Sequence, residues 1–69
     1  MKLTTPHAET VKAAFLEYAK MMDVYASDQL ASQRWQSHEK NKAACRARAS
    51  VYEGIAAEIR ELEFVEETT

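Results

Sequence analysis

The sequence predicts an all-α protein, an antiparallel two-helix hairpin that pairs with a second copy into a four-helix bundle. Three observations carry this. Large apolar residues recur at spacings of three and four along two long segments, the mark of a helical face. One Gly and one Pro in 69 residues leave little material for the tight turns of a sheet. The apolar fraction of 46% contains 12 Ala and only 20 larger side chains, a small core for a lone domain.

Helix one is expected over about residues 6–33. Thr5 reads as its N-cap and Pro6 as its first residue, where a missing N–H costs nothing. Glu9 suits the positive end of the helix dipole. Val11, Phe15, Tyr18, Met22 and Tyr25 then form the stripe. From Asp28 to Lys42 the chain is polar, with Leu30 and Trp35 its only large apolar residues. The turn is expected here, with Ser37 capping a second helix; Ser27 is the competing cap, giving a shorter first helix.

Helix two is expected over about residues 39–64, its apolar face carrying Cys45, Val51, Tyr52, Ile55, Ile59 and Leu62. Gly54 interrupts it at a cost of about 1 kcal/mol, which close approach of another backbone would explain. Residues 66–69 are expected to fray, and the whole chain, 1–69, forms one domain.

Two helices meet along one seam, yet helix one carries a second apolar line of Met21, Val24, Ala31 and Trp35 beside its stripe. Each such side chain contributes roughly 1.5–3 kcal/mol when buried, so the surplus predicts a homodimer with the two stripes as its shared core. The expected core is therefore Val11, Phe15, Tyr18, Met22, Tyr25, Cys45, Val51, Tyr52, Ile55, Ile59 and Leu62.

Charge is uneven along the chain. Residues 34–48 hold Arg34, Lys40, Lys42, Arg46 and Arg48 against Glu39, a net +4. Residues 49–69 hold Arg60 against six Glu, a net −5. Such a dipole steers a charged partner or pairs two copies antiparallel. A single Cys makes no internal disulfide, no run reaches the ~18 apolar residues of a membrane span, and no apolar segment follows Lys2 as in a signal peptide. A cytoplasmic protein is expected.

The chemistry of the side chains predicts no enzyme, no metal and no cofactor. Structural zinc takes four Cys or His at set spacings, and here one Cys accompanies His7 and His38 alone. Ser37-His38-Glu39 has catalytic residue types, but consecutive residues point in different directions and a capped turn explains them better. Cys45 reads as a small buried hydrophobe. Nucleic-acid binding is the second reading, with the basic residues of 34–48 on phosphates and Trp35 stacked on a base. The acidic pI of about 5.6 opposes it. The favoured reading is a protein-binding module. Trp, Met and Arg are interface residues, and Met21, Asp28, Arg34, Trp35 and His38 lie toward the distal half of helix one and the turn.

The segment Ala44-Cys45-Arg46-Ala47-Arg48-Ala49, followed by Tyr52, Ile55-Ala56 and Glu58-Ile59-Arg60-Glu61-Leu62, resembles the second helix of small phage- and prophage-encoded helical proteins. Quorum-sensing anti-activators and anti-CRISPR proteins are of this kind. The resemblance covers about the last third of the chain and implies a stoichiometric inhibitor of a host regulator or machine. It carries over no functional residues.

Overall fold

The computed structural model describes residues 1–68. Its elements run β1 (Lys2–Thr5), α1 (Ala8–Ser32), a 3₁₀ turn (Gln33–Trp35), α2 (Glu39–Glu61) and β2 (Glu63–Glu66). The two helices form a hairpin. Contacts across it run in reverse order, pairing Gln33 with Arg46, Gln29 with Arg48, Tyr25 with Tyr52 and Asp23 with Arg60. The molecule is a rod, 57 × 17 × 11 Å.

The helix-forming content of the sequence explains both long elements, since Ala and unbranched residues dominate them. Their contact seam is lined by small residues. Ala19, Ala26, Ala49 and Ala56 are the most deeply buried of the described residues, with Met22, Cys45 and Ile59 beside them. Tyr52 and Ile55 pack partly against the group made by Ala19, Met22, Ala56 and Ile59.

Two short strands join the ends of the chain, where helix and fraying were expected. β1 and β2 pair in parallel, with Lys2 beside Glu63, Leu3 beside Phe64, Thr4 beside Val65 and Thr5 beside Glu66. Parallel strands need a long crossover, and here the whole helical hairpin is that crossover. Helix two accordingly stops at Glu61, before residue 64, because Leu62 is already extended (φ −67°, ψ 136°). Phe64 is drawn onto the first turns of α1, its ring centroid 5.4 Å from that of Phe15. The fold is mostly helical with a small sheet, not purely α.

The start of α1 also differs from the expected Thr5 cap. Thr5 belongs to β1, and its hydroxyl donates to the Pro6 carbonyl at 3.1 Å. His7 precedes the helix in the left-handed region (φ 61°, ψ 44°), which reverses the chain out of the strand. The open N–H groups of His7 and Ala8 donate to the Glu66 carboxylate at 3.1 and 2.6 Å. A residue 59 positions away thus caps the helix and places a negative charge at its positive end.

At the other end, Ser27 lies inside α1 and neither Ser expected as a cap serves as one. The turn is the 3₁₀ segment followed by extended Gln36 and His38, and His38 precedes α2 with no side-chain cap. Gly54 corrects another expectation. It sits on an open part of α2 with nothing within 4 Å of where a Cβ would stand, so no backbone approaches it.

Two measurements follow. Glu66→Ala removes the cap and should lower the unfolding free energy in urea by about 1 kcal/mol with native helicity unchanged; an unshifted midpoint would show the carboxylate idle. Gly54→Ala should raise it by a similar amount, about 1 kcal/mol, because a helical Cβ is added into free space.

Candidate functional site

The 3₁₀ turn forms one end of the rod. It displays Trp35, which is 86% exposed, beside exposed Arg34 and, three residues on, exposed His38. The turn and the last turns of α1 are each tied to α2. Arg46 donates to the Gln33 amide oxygen at 3.2 Å, and Arg48 donates to that of Gln29 at 3.5 Å. Lys42 lies 3.6 Å from Glu39 on the first turn of α2. The basic residues of 34–48 therefore occupy the half of the rod that ends in the tryptophan, from Arg34 in the turn to Arg48 about 14 Å along α2, while the six Glu of the C-terminal segment lie further along toward the strands.

Arg34, Trp35 and His38 come together at this tip. Asp28 is exposed on the last turns of α1, short of it. Met21 is not part of the group, since fourteen residues of rise separate it from Trp35, roughly 20 Å along the helix axis.

Met21 instead belongs to a second surface, along one flank of the seam. Tyr18, Met21 and Tyr25 are spaced three and four apart on α1 and so share a face. Tyr25 meets Tyr52 of α2 with ring centroids 5.7 Å apart, which brings Val51, Tyr52 and Ile55 onto the same flank. Tyr18 and Val51 are 50% and 61% exposed. A shallow depression lined by Ala47, Arg48, Val51 and Tyr52 lies on this flank, and Ala14, Phe15 and Tyr18 line another. Of the residues expected as core, Met22, Cys45 and Ile59 are buried within the hairpin, Val11, Tyr52, Ile55 and Leu62 are half-buried, and Phe15, Tyr18, Tyr25 and Val51 face outward.

The opposite flank is polar. Arg60 holds Asp23 in a two-pronged pair, with N–O distances of 3.4 and 2.5 Å. Leu30, seven residues from Asp23 and hence on the same side of α1, is the large apolar residue of that flank toward the turn. The hydrogen bond from Arg60, aided by its charge, holds the Asp23 carboxyl below the usual carboxylate range, against a smaller opposing effect of desolvation. Among the described residues no three His, Cys, Asp or Glu side chains converge as metal ligands, and no helix is long and apolar enough to cross a membrane.

The bracing glutamines, Gln29 and Gln33, escape sequence reasoning because nothing in a polar stretch marks which amides will meet arginines across the seam. Comparison of the chain with known protein families, with curated proteins and with solved structures finds no match.

Because the Asp23 carboxyl is depressed in the fold, the stability this pair lends is complete above the ordinary Asp value of about 3.9 and disappears as the pH falls through the lower native value. Arg60→Gln should therefore be less stable than wild type at neutral pH and equal to it in strong acid. A constant difference across a denaturation series from neutral pH to strong acid would assign the loss to packing instead.

Proposed function

We propose that this chain is a non-enzymatic protein-binding module, an antiparallel hairpin that works as a homodimeric four-helix bundle and presents Trp35 to another protein. Binding of this kind, by a small helical protein, suits an inhibitor that occludes a regulator, as the resemblance to phage-encoded helical proteins implies. The single observation that carries the reading is the position of Trp35. It is the sole tryptophan, almost fully exposed, and held on a braced turn where it adds little to the hairpin. A Trp brings 150–250 Å² of rigid, mostly apolar surface to an interface, so its exposure is costly unless a partner covers it. Arg34 and His38 supply polar contacts around it.

The basic residues at the same tip favour one second reading, a nucleic-acid contact in which Trp35 stacks on a base and the cations follow phosphates. The two readings differ in their response to salt, since neutralising several phosphates makes affinity fall steeply as salt rises.

The test is affinity capture from nuclease-treated lysate with wild type and Trp35→Ala side by side. A stoichiometric protein should be held by wild type and lost with the variant, whose helicity is that of wild type and whose unfolding free energy stays within about 0.5 kcal/mol of it. Fluorescence from the lone tryptophan should shift to the blue when the captured protein is added. Retention by the variant would remove Trp35 from the interface. Capture of nucleic acid alone, lost in high salt, would establish the second reading.

A further inference from the structure

The hairpin's seam is lined largely by small side chains. Ala19, Ala26, Ala49 and Ala56 are buried there with Met22, Cys45 and Ile59, while Tyr18, Met21, Tyr25 and Val51 stand between 41% and 61% exposed on one flank. The surface left over can be measured. A compact protein of 7.9 kDa exposes about 4,400 Å² by the usual scaling with mass, and this chain exposes 5333 Å². The excess is roughly 900 Å², spread over the whole rod with Trp35 and Leu30 included, and is of the order of the ~800 Å² that each partner buries in a stable protein–protein interface.

We infer that the flank formed by Tyr18, Met21 and Tyr25 of α1 with Val51, Tyr52 and Ile55 of α2 is where a second copy of this chain docks, the two copies lying antiparallel. The identity of the occupant follows from three features together. The rod carries enough excess area for one standard interface per chain. The flank draws exposed apolar side chains from both helices, with Asp28 and Arg48 toward its turn end, and a twofold contact sets this one patch against itself. The long axis is also polarised, basic around the 3₁₀ turn and acidic toward the strands, so antiparallel copies set the basic end of one beside the acidic end of the other. A parallel arrangement would oppose like charges.

The flank bearing the Asp23–Arg60 pair and Leu30 stays outside this contact. The two Trp35 tips then project from opposite ends, making the dimer divalent. The inference rests on the dimeric reading above for the existence of the pair, and assigns its face and direction; it is independent of what Trp35 binds.

Sedimentation equilibrium over a range of concentrations tests it. Wild type should weigh about twice the 7.9 kDa chain, with a thermal midpoint that rises with concentration. Tyr18→Glu and Val51→Glu should each fall to the mass of one chain, while Leu30→Glu and Trp35→Ala remain at twice that mass. Hydroxyl-radical footprinting of wild type avoids any folding defect in the variants. Raising the concentration should protect Tyr18, Met21 and Tyr25 and leave Trp35 reactive. Wild type at the mass of one chain at every concentration, flank variants that stay dimeric, or protection centred on Leu30 would each overturn the assignment. Loss of protein capture with an intact dimer would fault the Trp35 reading alone.

Discussion

The close approach of the two helices along an alanine seam is the constraint on which the rest of this structure depends. Ala19 and Ala26 from α1 face Ala49 and Ala56 from α2, and with side chains this small between them the helix backbones come near one another. Such a seam buries many atoms but little area per residue. Tyr18 and Tyr25 stand exposed beside it, while Tyr52 packs partly against it and meets the Tyr25 ring at 5.7 Å. One choice of residue size therefore sets both the slenderness of the rod and the apolar flank along it.

A slender seam resists sliding poorly, and the two ends of the rod compensate. At one end Arg46 and Arg48 reach Gln33 and Gln29, tying the turn to the following helix. At the other, the parallel strands and the Glu66 carboxylate tie the last residues of the chain to the first turn of α1. The Phe15–Phe64 contact extends apolar packing past the point where α2 stops. Midway, the Asp23–Arg60 pair links the helices on the polar flank, although an exposed ion pair of this kind contributes modestly.

The same geometry separates two surfaces of different character. The flank gathers exposed apolar side chains from both helices, with Asp28 and Arg48 toward its turn end. The tip is small, basic and built around one aromatic ring, qualities that suit a partner recognised by a hot spot. Met21 and Trp35, grouped by composition alone, lie on different surfaces because about four turns of helix separate them.

Much of the helical part was legible in the residues. The three-and-four spacing of Val11, Phe15, Tyr18, Met22 and Tyr25 is a local signal, and it located α1; the polar stretch 28–42 contained the turn but left Ser27 and Ser37 as rival starts for the second helix, and the inner position of Cys45 followed from the pattern of α2. The prominence of Trp35 was equally plain, since that stretch offers only Leu30 as another large apolar residue. The strands were not legible. Four residues such as Lys2-Leu3-Thr4-Thr5 or Glu63-Phe64-Val65-Glu66 become a strand only when a partner lies alongside, and that partner is some 61 positions away. The Glu66 cap was hidden for the same reason, and it overrode the local Thr5-Pro6 signal because a carboxylate at the helix start is worth as much as a hydroxyl there. Which side of the stripe became the seam was also decided in three dimensions: periodicity marks an apolar face, but only packing against a second helix selects alanines for the inside and leaves the tyrosines on its edge. Local spacing determined the two helices; contacts between residues far apart in the chain decided the strands, the helix ends, the seam and the surfaces left bare.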